Sequence, residues 1–280
     1  MRALGFPRVA RATKHNVREY DAKAKKVAHA VELFSSFVVY MAGRNHVAAP
    51  GSRTKGEPLY ASSTHRLYED RAVVVLGMDV PTQGWAPEHA ALLDDDEARL
   101  CRELRSDGSR ALFVASRALL REALAEATGI EAREWHFTRD HLGRPSVAPG
   151  HGLPAMRISL THAAGAVAVA VAPEHEVGVD LEPLTAAPQA LAATVACTEP
   201  ERRWLQTLAA VDERVAARAA LALWTQKEAY AKMRGFGTEL DFGALDVLDD
   251  PPPDARLVSK QVHLAGAPYA LGVAVERGHA

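Results

Sequence analysis

The chain has only two cysteines among 280 residues, Cys101 and Cys197. Two thiols make neither a disulfide framework nor a thiolate metal site, so a reducing, cytoplasmic interior is the default expectation. Long apolar runs are missing as well: nothing approaches the roughly 18 residues that a membrane span requires. The nearest candidate, Val27 to Ala42, is broken by His29, Glu32, Ser35 and Ser36 and lacks a small-residue cleavage site after a short apolar core. It reads as an amphipathic helix, not a signal peptide. Three nucleotide and hydrolase signatures are absent: Gly-x-x-x-x-Gly-Lys-Ser/Thr, Gly-x-Gly-x-x-Gly and Gly-x-Ser-x-Gly. P-loop, dinucleotide and serine-hydrolase chemistries therefore lose their support.

A large net charge is also missing, since the formal value is -2. The balance is uneven, however. Residues 1–70 hold twelve Lys/Arg against six Asp/Glu, and the remainder holds 21 against 29. The body is thus no general polyanion binder, nucleic acid is not an expected partner, and a phosphate site must be a local basic cluster. What is present is an ordinary globular composition, 48% hydrophobic and 24% charged, long enough for one large or two modest cores.

Residues 1–70 read as a basic N-terminal extension, partly disordered or loosely helical. From Arg71 the chain runs through one plan twice. Val73 to Asp79 and Val177 to Glu182 are β-rich runs that end at acids. Each is followed by an acidic helix start, at Leu93 to Arg99 and at Thr198 to Arg202, with Pro200 suited to a first turn. Long Ala/Leu helices come next, Ser109 to Thr128 and Val215 to Arg234, and apolar strands close each half, Ala166 to Val171 and Tyr269 to Val275. The expected fold class is α+β, with similar halves over 71–174 and 175–280 joined near Pro173 to Glu176. A seam between halves is where pockets commonly form.

The most informative stretch is 220–240. It is a helix rich in Ala, Leu, Gln, Lys and Glu, stopped by Gly235 and Gly237. At 3.6 residues per turn, Leu221, Trp224, Glu228 and Lys232 share one side, with Lys227 just off it. Apolar side chains spread almost all round, so the helix is expected to be buried, and buried charges need partners. Glu228 and Lys232 can pair with each other on a solvated face; they can also serve a metal or a phosphate.

Asp180 and Glu182 lie two apart in a strand-like run and point to one side. They are either a solvent face running into the turn at Pro183 or, with Glu228, an all-oxygen set that suits Mg²⁺. Ile158 to Gly165 places Thr161 and His162 at a strand end beside small residues, where both can donate to a phosphate; a histidine held in the core by a carbonyl is the alternative. Arg139 and the Gly143-Arg144-Pro145 turn present cations, and Arg110, Arg117 and Arg121 share a helix face as a second basic stripe or an ordinary polar face.

Val177 to Glu182, Trp224 to Lys232, Ser159 to His162 and Gly143 to Pro145 come in the order and approximate spacing of the Sfp-type 4′-phosphopantetheinyl transferases, with Gly-x-Gly after the helix. The resemblance covers residues 71–280. It implies a monomeric pseudo-dimer of two α/β halves that binds coenzyme A and Mg²⁺ between them and modifies a serine of an apo acyl, peptidyl or aryl carrier protein, releasing 3′,5′-ADP. By resemblance, Asp180, Glu182 and Glu228 hold Mg²⁺, and Glu228 draws the serine proton directly or through a metal-bound water. Lys232 lies on the leaving side. His162 and Thr161 hold coenzyme A phosphates, Arg144 and Arg139 its 3′-phosphoadenosine end, with Arg99 and Arg110 as further contacts there and Lys227 as a motif member of less defined role. The chain departs from the family at Cys197-Thr198, where Phe-Ser is frequent, and in having Arg144 for a frequent Lys. Two other classes fit parts of the pattern: a non-catalytic module binding coenzyme A or a carrier protein, and a Mg²⁺-dependent phosphohydrolase.

Overall fold

The computed structural model describes residues 65–66, 73–80, 85, 87–139, 145–150, 155–236, 239–264 and 266–278. All of them lie in a unit spanning Arg53–Ala280; the other unit, Met1–Ser52, falls outside them, as does the helix expected over Val27 to Ala42. The strands are β1 (His65–Arg66), β2 (Val74–Asp79), β3 (Phe137–Arg139), β4 (Pro145–Val147), β5 (Met156–Ala163), β6 (Ala166–Pro173), β7 (Val177–Pro183), β8 (Ala255–Leu264) and β9 (Ala267–Glu276). The helices are α1 (Pro87–Ala90), α2 (Asp95–Glu103), α3 (Asp107–Thr128), α4 (Ala187–Ala192), α5 (Glu199–Ala209) and α6 (Glu213–Arg234). The fold is α+β. Among the described residues no helix is long and apolar enough to cross a membrane.

Two antiparallel sheets carry the core. The first runs β1-β2-β6-β5, so its edge strand β1 comes from within residues 1–70; the second runs β7-β9-β8, and β3-β4 is a separate small ribbon. Strand β6 shows why the layers form. It alternates Ala166, Ala168, Ala170 and Ala172 on one face with Val167, Val169 and Val171 on the other, and every one of these is buried. The alanines meet Val177, Val179, Leu181, Val262 and Leu271 of the second sheet. The valines meet Leu119, Leu120, Ala123 and Leu124 of α3. Helix α6 covers the far side of the second sheet through Leu221, Ala229 and Met233. The order is therefore helix, sheet, sheet, helix, with apolar burial on both faces of each sheet.

Strand, two helices and hairpin occur in that order twice, as β2-α2-α3-β5-β6 and β7-α5-α6-β8-β9. The likeness extends to side chains. Asp94 caps α2 and Thr198 caps α5, each in a capping box with the glutamate three residues on, Glu97 and Glu201. Both glutamates are buried, and each meets a buried cation from the next helix. Arg121 holds Glu97 through two nitrogens at 2.7 and 3.3 Å, and Lys227 reaches Glu201 at 2.5 Å. Helices α3 and α6 are both 22 residues long, and these cations occupy the same step of each. Both helices stop at a left-handed glycine, Gly129 and Gly235, where φ is 76° and 72°.

Two expectations are corrected here. Arg117 and Arg121 do not form a basic stripe with Arg110. They are buried against Glu97 and lie over Phe137, with Arg117 also over Phe113. Lys227 likewise turns inward, where its ammonium meets Glu201.

Candidate active site

Alternation on β7 places Val177, Val179 and Leu181 between the sheets and turns Gly178, Asp180 and Glu182 toward α6. The helix can lie close because two positions beneath it have no side chain. A Cβ at Gly178 would stand 1.8 Å from the Ala229 carbonyl oxygen, and one at Gly272 on β9 would stand 2.2 Å from that of Thr225. Gly272 pairs directly with Asp180 in the sheet. The glycines therefore bring Glu228 and Lys232 down onto the strand that carries the two acids.

The resulting cluster is charged, with Asp180 and Thr161 buried and Glu182, Glu228 and Lys232 half-buried. Asp180 is 4% exposed. Its Oδ1 accepts from Lys232 Nζ at 2.6 Å and from Thr161 Oγ1 at 3.2 Å, and Lys232 also donates to Thr161 Oγ1 at 3.1 Å. Asp180 Oδ2 is buried with no hydrogen-bond partner. Burial pushes the Glu228 carboxyl above the ordinary range, the Asp180 charge adds to this, and Lys232 opposes it. Glu182 is raised for the same reasons, burial first, then Asp180, with Glu228 contributing as well. Both glutamates feel the Asp180 charge, so the three acids share one electrostatic neighbourhood.

Among the described residues no three His, Cys, Asp or Glu side chains stand ready-grouped around a metal position. The donor chemistry nevertheless fits a hard cation: three carboxylates, no nitrogen or sulfur ligand, and one buried carboxylate oxygen left without a donor.

The other expected residues divide. Thr161 joins the cluster. His162, the next residue on β5, is exposed and faces the opposite way, toward the side that packs Leu160 and Ile158 against the α3 core. Arg99 pairs with exposed Asp96 on α2, and Arg110 donates to the Leu104 carbonyl and to Asp107 at the start of α3. Neither is brought to Asp180. Arg139 lies on β3, and Arg144 falls outside the described residues. Lys227 is 1% exposed, with its ammonium donating to the Ala196 and Phe242 carbonyls, both at 2.8 Å, and to Glu201. An ammonium has three protons, and all are used inside the protein. Gly178 and Gly272 were not singled out from the sequence, although glycine inside a strand pattern signals close backbone approach.

Residues 176–274 match the model of the 4′-phosphopantetheinyl transferase superfamily. This segment contains Asp180, Glu182, Glu228, Lys232 and both glycines, and it is a domain of that superfamily. No curated protein matches the chain.

Proposed function

We propose that the chain is an Sfp-type transferase, moving the 4′-phosphopantetheine arm of coenzyme A to a serine hydroxyl of an apo carrier protein and releasing 3′,5′-ADP. The observation that carries this reading is the coincidence of the superfamily segment with the Asp180–Glu182–Glu228–Lys232 cluster. The twice-repeated element order supports a pseudo-dimer with its halves at 71–174 and 175–280, acting as a single copy. Two free thiols agree with a cytoplasmic setting.

Asp180 through Oδ2, Glu182 and Glu228 would hold Mg²⁺, which when bound neutralises charge on the pyrophosphate of coenzyme A. The transfer forms a bond from the serine oxygen to the pantetheine-side phosphorus and breaks that phosphorus's bond to the bridging oxygen, which leaves with 3′,5′-ADP. The serine proton passes to Glu228, directly or through an intervening water. Lys232 supplies positive charge on the leaving side. By resemblance, His162, exposed near the end of β5 on the face away from the acid cluster, would bind a coenzyme A phosphate, and Arg139 and Arg144 would bind the 3′-phosphoadenosine end.

The test is incubation with coenzyme A, Mg²⁺ and an apo carrier protein, followed by intact-mass and nucleotide measurement. A carrier heavier by one phosphopantetheine, lost on chelation of Mg²⁺, is the expected result. Release of 3′,5′-ADP without a heavier carrier would indicate a phosphohydrolase. Binding of coenzyme A with neither product would indicate a non-catalytic module. Either outcome overturns the proposal.

A further inference from the structure

We propose that Thr161 is a positioning residue, a hydroxyl from the first half that fixes the acid and the lysine of the second; this rests on the metal-dependent transfer proposed above. Thr161 lies on β5, whereas Asp180 and Lys232 lie on β7 and α6. Its Oγ1 donates to Asp180 Oδ1 at 3.2 Å and accepts from Lys232 Nζ at 3.1 Å, closing a triangle with the 2.6 Å contact between lysine and acid. A hydroxyl has one proton and two lone pairs, so one group can serve both partners at once. At 5% exposure little water can replace it.

The consequence falls on the carboxylate. With two donors on Oδ1 and none on Oδ2, Asp180 is oriented with one oxygen committed to the protein and the other available. The same triangle occupies the Thr161 hydroxyl, so its contribution is made through Asp180 and Lys232 and not by touching a phosphate. The neighbouring inward hydroxyl on β5 acts in the same direction: Ser159 Oγ accepts from the Val179 amide at 3.1 Å. Two hydroxyls of one strand thus hold two successive residues of β7. The strands belong to different sheets and share no backbone ladder among the described residues. Register across this seam is set by side chains, and the acid's orientation is set with it.

Thr161→Val keeps the shape and removes the hydroxyl; Thr161→Ser keeps the hydroxyl and removes a methyl. Mn²⁺ is titrated into the full chain without coenzyme A and the free ion is followed by electron paramagnetic resonance, with thermal melting alongside. Thr161→Val is expected to weaken Mn²⁺ binding by about ten- to a hundred-fold while remaining folded, and Thr161→Ser to stay near the parent. In turnover the loss appears as a higher Mg²⁺ requirement that excess Mg²⁺ overcomes. Equal binding by the parent and Thr161→Val, or an equal loss in Thr161→Ser, would overturn the positioning role and leave the transferase reading standing. A folded parent that binds no Mn²⁺ but still modifies a carrier would overturn the metal assignment instead, and the inference with it.

Discussion

Lys227 and Glu228 are adjacent on α6 yet serve different structures. The ammonium of Lys227 is enclosed by Glu201 and two carbonyls, while Glu228 sits half-buried beside Asp180. One residue holds the fold and the next belongs to the site.

Replacing them separates the two roles. Lys227→Met strands the Glu201 carboxylate in the core and is expected to cost about 3–5 kcal/mol in urea unfolding. Glu228→Gln relieves burial and repulsion, so its unfolding midpoint should match or exceed the parent's while transfer falls by about 10²–10⁴-fold. A Glu228→Gln protein with parental rates would remove that carboxylate from the mechanism.

Lys232→Met tests the ammonium on Asp180. It leaves a buried carboxylate with one donor fewer, but the lysine side chain is 31% exposed and water can partly replace it. The expected loss is about 2–3 kcal/mol, below the range for a fully enclosed pair. Denaturant titration of the variant and of the double variant with Asp180→Asn checks it: the second change should recover part of the loss.

Gly178→Ala places a methyl where the Ala229 carbonyl now lies. The helix must lift from the strand, at a cost of about 1–3 kcal/mol or more. Transfer should fall further than stability alone explains, because Glu228 and Lys232 move with the helix. A variant equal to the parent in melting temperature and rate would contradict the close approach.

Glu122 occupies in α3 the step that Glu228 occupies in α6, but among the described residues β2 places no acid opposite it. Its partner strand carries Val74 and Leu76 on the helix side. Its Oε1 is buried without a hydrogen-bond partner, and burial, then the charge of Glu126, raises its pKa from 4.5 to about 8. The folded value lies above the unfolded one, so the stability the neutral acid contributes is complete below 4.5 and is lost as pH rises through 8. Relative to Glu122→Gln, the parent should lose ground in urea midpoint between pH 5 and pH 8.5. Parallel pH profiles would reject this.

Much of the scaffold was legible because local rules agreed with the packing. The Thr198 and Asp94 capping boxes, the Gly235 stop and the Ala/Val alternation of β6 are each written within a few residues. The shared side of Asp180 and Glu182 follows from strand period alone. What stayed hidden depends on partners far along the chain. Nothing local tells Lys227 that Glu201 awaits it, or distinguishes Arg117 and Arg121 facing Glu97 from arginines facing water. Strand β8 has no clean local signature either. It contains Lys260, Gln261 and His263 among its apolar residues, and its place is fixed by pairing with β9.

The seam between β5 and β7 has a consequence for how the two layers can vary. Amide ladders resist change because every rung is backbone, whereas a join made of serine and threonine oxygens can be loosened or tightened by exchanging single side chains. The polar part of that join thus rests on two side chains, Ser159 and Thr161, and exchanging either leaves both amide ladders whole.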